Sequence, residues 1–229
     1  MKLGTFAYLT FYTPTPEATT AFCAQLGFQI ISQDHESTLL TDGNLYFDVH
    51  RSEHTATALS YLVNDVSNKI EMAENLQLHV AEKSRHHAII REPNGLTILL
   101  LDSAIMPLKE FPRRPISLCG SFSEVSLETD DMERSTRWWQ NVGFKVTTKK
   151  GTWCTMDDGN IKIGLYVRGT CPHQFKNPAL TYFETDMKER IAELKKRGVQ
   201  FVQQEEEIGM EGHAITETPD GQYFFLFKT

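Results

Sequence analysis

The sequence predicts an α+β fold made of four βαβββ units, and three observations support it. The first is a duplication, because residues of the first half recur at an offset of 116 in the second. The second is that this offset grows by five twice, near Gly169–Pro178 and near Glu205–Gly212, in turn-like sequence where extra length costs little. The third is that each half holds alternating strand patterns around short helical segments, which indicates helices outside antiparallel sheet. The pairs at the 116-residue offset include Phe6 and Phe122, Gly27 and Gly143, Asp42 and Asp158, and Asn44 and Asn160.

The first unit opens with a predicted strand over Phe6–Tyr12 and a helix over about Pro16–Leu26. The helix ends at Gly27, because glycine accepts the left-handed conformation that follows a helix. The sequence from Asp42 to Asn44 is a tight hairpin signal. The last strand alternates an apolar face with a polar one. Three strands complete the unit, at Phe28–Ser32, Thr38–Asp42 and Leu45–His50.

The other units repeat this order, the third from Phe122 and the fourth from Ala179. In the fourth unit the helix carries Met187, Ile191 and Leu194 on one face and ends at Gly198. We therefore expect domains over residues 1–105 and 118–229, joined by a proline-containing linker over residues 106–117. The second unit is predicted as strand Ala58–Val63, helix Asp65–Glu74, and strands Gln77–Glu82, His87–Glu92 and Leu96–Asp102.

Composition argues against several classes of partner. A net charge of −7 and a pI near 5.6 disfavour nucleic acid, which attracts a basic face. No apolar run approaches the roughly 18 residues of a membrane span, and the first residues lack the apolar stretch of a signal peptide. The four cysteines are widely spaced without a CxxC pair, which favours reduced thiols. We expect a cytoplasmic protein with neither a nucleic-acid nor a membrane partner.

Two ordered motifs resemble those of the vicinal oxygen chelate superfamily, which includes glyoxalase I, the bleomycin- and fosfomycin-resistance proteins and the extradiol dioxygenases. The segment Asp131–Phe144 is similar to the signature D-L-x-x-S-x-x-F-Y-x-x-L-G-F, and Glu17–Phe28 is a weaker copy. Glu92–Gly95 and Thr218–Gly221 look like the second signature, D-P-D-G-N, before the last strand. The resemblance implies two tandem domains in which paired units curl eight strands around a cavity.

The resemblance also implies four positions at which metal-using members hold an ion. When these positions are carried over residue by residue to this sequence, each half has one carboxylate among its four positions. Pairing the units across the halves also gives one carboxylate at each site. A divalent ion needs three or four converging donors, so we expect no metal and no cofactor at these positions. A metal site that is displaced from these positions and includes Asp48 and His50 remains an alternative. The positions are Tyr8, Asp48, Ala58 and Leu99 in the first half, and Glu124, Gly164, Ala179 and Phe225 in the second.

A small-molecule site on the polar strand faces is expected instead, because an aromatic wall with a few polar groups is typical of such sites. If Asp48 is buried it needs a partner, and His50 or a tyrosine hydroxyl is nearest by register. Solvated strand ends are expected for Lys162, Arg168 and Glu128. The candidate ligand-binding residues are Tyr8, Tyr46, Asp48, His50, Glu124 and Tyr166.

Other marked residues have structural explanations. His87 and His213 are equivalent in the two halves and are expected to make strand-end hydrogen bonds, although ligand contact is an alternative. Trp138 and Trp139 take the aromatic positions of the helix signature and are expected in the core. The run Glu205–Glu207 is expected to be a solvated loop.

Three functions remain open at this point. The favoured one is a metal-free protein that binds a small organic molecule, as the resemblance to the bleomycin-resistance branch implies. The alternatives are a metal-dependent lyase or dioxygenase with a displaced site, and a degenerate member that binds a protein. Nothing in the spacing identifies a catalytic residue. The two halves make a pseudo-dimer within one chain. Three points are left open: whether the chain also forms a homodimer, whether the units pair within or across the halves, and which half carries the pocket.

Overall fold

A computed structural model describes residues 1–106 and 114–229, in which the predicted order of helices and strands is confirmed. Part of the predicted linker, residues 107–113, lies outside the described residues. No helix within the described ranges is long and apolar enough to cross a membrane. The elements of the first half are β1 (Phe6–Thr13), α1 (Pro16–Gln25), β2 (Gln29–Gln33), β3 (Ser37–Thr41), β4 (Tyr46–Arg51), β5 (Ala56–Val63), α2 (Val66–Asn75), β6 (His79–Lys83), β7 (His87–Arg91) and β8 (Thr97–Asp102).

The second half repeats this order with one change, in its fourth unit. The strand expected after the fourth helix is reduced to a single bridge between Gln203 and Ile215. A short helix with Gln204 as its N-cap follows, so the prediction of a loop at Glu205–Glu207 is wrong. The elements are β9 (Ser121–Thr129), α3 (Met132–Asn141), β10 (Lys145–Lys150), β11 (Trp153–Asp157), β12 (Lys162–Val167), β13 (Ala179–Glu184), α4 (Met187–Lys196), α5 (Glu205–Ile208), β14 (His213–Glu217) and β15 (Tyr223–Lys228).

Each half forms one open, mixed sheet. The first has the order β2-β3-β4-β1-β5-β8-β7-β6, and the second has the order β10-β11-β12-β9-β13-β15-β14. At the centre of each sheet the first strands of two units pair antiparallel, with Leu9 opposite Leu59 and Val125 opposite Leu180. The units therefore pair within halves, not across them.

The helix-covered faces of the two sheets share one apolar core. The largest cluster of buried side chains includes Leu9 and Phe47 of the first half together with Trp139 and Phe224 of the second. Phe224 contacts the ring of Phe22 on α1, with 5.9 Å between ring centroids. Two smaller clusters lie on the opposite faces of the sheets. The halves thus pack back to back, and each keeps an outer face.

Two reciprocal hydrogen bonds join the halves. Tyr182 donates its hydroxyl to Asp42 Oδ2 at 2.8 Å, and Tyr61 donates its hydroxyl to Asp158 Oδ2, also at 2.8 Å. Both carboxylates lie in the duplicated Asp-Gly-Asn turns. In each turn the other oxygen, Oδ1, accepts backbone N–H groups. In each half, therefore, the aspartate of the Asp-Gly-Asn turn accepts a hydrogen bond from a tyrosine of the other half.

The turn at Gly43 also holds the last part of the predicted linker. Arg114 donates its backbone N–H to the Gly43 carbonyl at 2.7 Å. Gly43 has a φ of +87°, and a Cβ placed there would lie 1.9 Å from the Arg114 carbonyl oxygen. Glycine is required at this position because both the backbone conformation and the close approach exclude a side chain.

We expect Tyr182→Phe to lower the free energy of unfolding by about 1–3 kcal/mol, because it removes a hydrogen bond from a buried carboxylate. The carboxylate that loses its partner, Asp42, is fully buried. Tyr61→Phe is the matched control, and its cost should be smaller because Asp158 is partly exposed. Urea unfolding of the two variants measures the difference. Equal, negligible effects would contradict the role of these bonds in joining the halves.

Candidate functional site

The outer face of the first half carries the polar residues predicted from the strand alternation. In the parallel pairing of β1 with β4, Thr10 lies opposite Asp48 and Tyr12 lies opposite His50. Paired residues point to the same side of a sheet, so these side chains share the face that Tyr8 and Tyr46 also occupy. The predicted grouping of Tyr46, Asp48 and His50 on one strand face follows from this register.

This face is concave. Glu82 on the edge strand β6 lies close enough to Tyr12 on β1 to raise the pKa of that tyrosine, after the larger effect of burial. Four steps across a flat sheet would separate these strands by about 19 Å, at roughly 4.8 Å a strand. The sheet curls so that its own strands enclose this face, since Tyr8 and Tyr46 are only 1% and 9% exposed although they lie opposite the helix-covered core. Asp34, beside the other edge, likewise acts on Asp48.

The floor of the concave face is aromatic and apolar. Tyr8 and Tyr46 are buried there with Leu39 and Leu62. Burial is the main cause that raises the pKa of Tyr8, so its hydroxyl stays protonated. Beside it the hydroxyls of Thr10 and Ser60 form a hydrogen bond of 2.8 Å. The floor thus offers hydroxyl groups and rings without a fixed charge.

Asp48 supplies the charge at the rim of this floor. Its Oδ1 atom is buried and has no hydrogen-bond partner in the part of the chain that the structure describes. Burial raises the pKa of Asp48, whereas nearby His50 and Ser37 act in the opposite direction. The His50 ring instead packs edge-on against Tyr12, with 5.7 Å between centroids. The expectation that His50 or a tyrosine would pair with this carboxylate is therefore wrong for Oδ1.

The outer face of the second half has a different carboxylate, and it is fully satisfied. Glu124 accepts hydrogen bonds from the hydroxyls of Tyr166 at 2.6 Å, Ser126 at 3.1 Å and Thr155 at 3.4 Å. Burial raises the pKa of Glu124. The carboxylate fills the space that a side chain at Gly164 would take, with 1.9 Å from Oε1 to an ideal Cβ. Glu124 and Tyr166, both candidate ligand residues, thus bind each other.

The two five-residue insertions cover this second face. His173 and Phe175, from the first insertion, pack on Phe225 with centroid distances of 4.7 and 5.2 Å. Ile208, from the second insertion, is buried in the same cluster. Burial lowers the pKa of His173 to about 4, with a smaller contribution from His213. The space above the strands is therefore occupied by the chain itself, which the positions of the insertions could have indicated.

Most of the structural explanations hold, and besides the helix at Glu205–Ile208 there is one further correction. Glu128 is buried, not solvated, because the insertion after β12 folds back so that Gly169 donates its backbone N–H to it at 2.9 Å. Lys162 and Arg168 are exposed. His87 makes the expected strand-end hydrogen bond, at 2.8 Å to the hydroxyl of Ser84. The other outcomes are that Trp139 is in the core with Trp138 against it, that His213 lies 3.0 Å from the Glu211 carbonyl, and that all four cysteines are free.

The residues at the four metal positions of the family do not fit a divalent ion. In the first half Asp48 is the single carboxylate, beside Tyr8, Ala58 and Leu99. In the second half the single carboxylate is Glu124, whose oxygens accept hydroxyl hydrogen bonds. Across residues 1–106 and 114–229, no group of three or more His, Cys, Asp or Glu side chains is placed to hold a metal ion.

Comparison with known proteins gives the same fold. Residues 121–225 match the model of the Glyoxalase/Bleomycin resistance protein/Dioxygenase superfamily. A search of curated proteins finds no match. Among solved structures, the chain is similar over its full length to a Mn(II)-bound glyoxalase from Novosphingobium aromaticivorans, with 15% identity, a TM-score of 0.68 and 83% of that chain covered.

Two further structures have a similar fold over the full length of this chain. A homoprotocatechuate 2,3-dioxygenase from Arthrobacter globiformis has 11% identity and a TM-score of 0.64, with 80% of that chain covered. A variant of 4-hydroxymandelate synthase from Streptomyces coelicolor has 14% identity and a TM-score of 0.66, with 93% covered. At this identity the likeness establishes the fold alone.

The raised pKa of Glu124 predicts a pH effect on stability. A carboxyl group whose pKa is raised in the folded state contributes stability that is complete below its unfolded value, near 4.5, and is lost as the pH rises through the folded value. Glu124→Gln keeps the acceptor oxygen but removes the charge. Relative to wild type, its free energy of unfolding should therefore increase from about pH 4 to about pH 8. Urea unfolding across this range measures the difference, and a constant difference would contradict a cost of burying the charged form of Glu124.

Proposed function

The second half of this chain belongs to the Glyoxalase/Bleomycin resistance protein/Dioxygenase superfamily, and on that premise we propose that the protein binds a small organic molecule without a metal. The binding site is the concave outer face of the first half, around Asp48. The observation that carries the proposal is the buried Asp48 Oδ1 atom, which has no hydrogen-bond partner among the described residues. An unpaired buried acceptor is costly, and a ligand that donates to it would remove the cost.

The contrast between the halves supports the choice of face. Both faces have a central pair of hydrogen-bonded hydroxyls, Thr10 with Ser60 and Ser126 with Thr181. Only the second face, however, has a carboxylate that accepts three hydroxyl hydrogen bonds and a surface that the two insertions cover. The duplication therefore left one copy closed by its own side chains and the other with an acceptor to satisfy.

The chemistry of the face defines the class of ligand. Asp34 lies near Asp48 and Glu82 lies near Tyr12, so carboxylates surround this face. Tyr12 and the buried floor offer aromatic and apolar contacts. A molecule that fits has an amine or other strong hydrogen-bond donor attached to an apolar or aromatic body.

The metal-dependent alternative has less support. A displaced site would use Asp48 and His50, and among the described residues these two do not form part of any group of three donors placed to hold an ion. Polarisation of a substrate by a metal ion would thus lack the ligands that hold the ion.

We expect Asp48→Asn to weaken the binding of an amine-bearing ligand by about tenfold or more, because a hydrogen bond to a charged group contributes roughly 1.5–3 kcal/mol. The ligand is first found by screening amine-bearing fragments for a rise in melting temperature. Calorimetric titration of the wild type and the variant then gives the affinities.

Glu124→Gln is the control for this experiment, because it removes the charge of the carboxylate on the outer face of the second half. It should leave the affinity unchanged. If the fragment lost affinity in Glu124→Gln and kept it in Asp48→Asn, the site would lie in the second half. Failure of every fragment to bind would overturn the proposal.

We also expect the purified protein to hold no stoichiometric transition metal, and a chelator to leave its melting temperature unchanged. The reason is that Ala58, Leu99, Ala179 and Phe225 stand where donors are needed. Elemental analysis and melting curves with and without the chelator test this. One tightly bound ion per chain, lost in Asp48→Ala or His50→Ala, would instead support the displaced-site enzyme.

A further inference from the structure

A groove of about 700 Å³ lies between the halves, away from both outer faces. One wall is the end of α2 with the strand that follows it, together with the turn at Glu92 and Pro93. The other wall is α3 of the second half. Asn94 bridges the two walls, because its side-chain amide donates to the Ser135 hydroxyl at 3.0 Å. The groove is thus fixed by contacts between the halves.

The α3 wall presents a helical stripe. Arg134, Arg137, Trp138 and Asn141 all line the groove. Their spacing of three, four and seven residues places them on one side of the helix. Trp138 is partly exposed, so a face of its ring is available beside two guanidinium groups. Arg91 adds a third guanidinium from the opposite wall.

These three arginines have no carboxylate partner within the described ranges, although the chain is acidic overall, with a net charge of −7. Arg91 donates to the hydroxyl of Thr97. By contrast, four other arginines of the described residues form salt bridges with acidic side chains. Those paired arginines are Arg51, Arg168, Arg190 and Arg197.

The two acidic residues of the groove are already engaged. Asp131 caps α3, with its Oδ1 atom accepting the backbone N–H of Arg134 at 2.9 Å. Glu92 is buried and accepts two hydrogen bonds of 2.6 Å from Asn94. Burial also raises the pKa of Glu92, which favours its neutral form. The positive charge of the arginines is therefore left for another anion.

The duplication provides an internal comparison. The positions equivalent to Arg91, Arg134 and Arg137 in the other copy are Glu217, Ala18 and Ala21. The charged groove is therefore specific to one side of the pseudo-dimer, and the shared fold does not require it.

Gln77, also in this groove, has a φ of +56°. The three equivalent units have glycine at this position, which accepts such a backbone without strain. A non-glycine residue in the left-handed region is uncommon, and such residues are found at ligand sites. Gln77 thus lines the groove with a side-chain amide. Its left-handed backbone conformation lowers the stability of the fold relative to glycine.

We propose that this groove binds a small molecule with a planar ring and at least two negative charges, supplied by phosphate or carboxylate groups. Guanidinium groups bind both kinds of oxyanion through paired hydrogen bonds, and an indole face stacks on a planar ring. This site is separate from the one around Asp48, so either can fail without the other.

The test is calorimetric titration of the full chain with two probes, adenosine diphosphate for the phosphate arm and benzene-1,2,4-tricarboxylate for the carboxylate arm. We expect at least one to bind, with an affinity that falls as salt is added. Arg134→Ala/Arg137→Ala should weaken it tenfold or more. Arg85→Ala, at another exposed arginine without a carboxylate partner among the described residues, should leave it unchanged.

Trp138→Phe separates a bound ring from a bound anion. The probe should quench tryptophan fluorescence in the wild type and less in this variant. Gln77→Gly should raise the melting temperature, since it relieves the backbone, and should weaken probe binding. Affinity that is equal in the wild type and the double variant would overturn the proposal, as would the absence of binding by both probes at millimolar concentration.

Discussion

The paired hydrogen bonds between Asp42 and Tyr182 and between Tyr61 and Asp158 determine which surfaces are left for function. They fix the halves back to back, so the helix-covered faces form one core. A carboxylate inside such a core is tolerated only because backbone N–H groups and a tyrosine hydroxyl satisfy it. With the inner faces engaged, ligand chemistry is left to the outer faces and to grooves along the line of contact.

Duplication allowed the two outer faces to become different. In the second half, the two insertions bring His173, Phe175 and Ile208 over the strands, and Glu124 accepts hydrogen bonds from neighbouring hydroxyls. In the first half no such insertion exists, and Asp48 keeps an acceptor atom without a partner in the described residues. The same fold thus has one packed face and one face with an unsatisfied acceptor, and among the described residues neither face has a group of three metal donors.

The strand alternation and the repeats predicted the α+β class and the face on which Asp48 lies, because a period of two fixes the side of a sheet. The resemblance implied two tandem domains of paired units, but only the structure shows that the units pair within each half. What the sequence could not predict depends on distant contacts. The burial of Glu128 requires the loop after β12 to fold back, the helix at Glu205–Ile208 forms where a loop was expected, and the arginines of the groove meet only when the halves are packed. These contacts follow from the tertiary fold and leave no local periodicity.

The most direct test of binding on the first outer face is to map the amide chemical shifts of isotope-labelled protein during titration with an amine-bearing fragment. The account predicts that the shifted resonances cluster in the strand segments Tyr8–Tyr12 and Tyr46–His50, which lie side by side on that face. Shifts confined to Ser121–Thr129 and the other strands of the second half would contradict it.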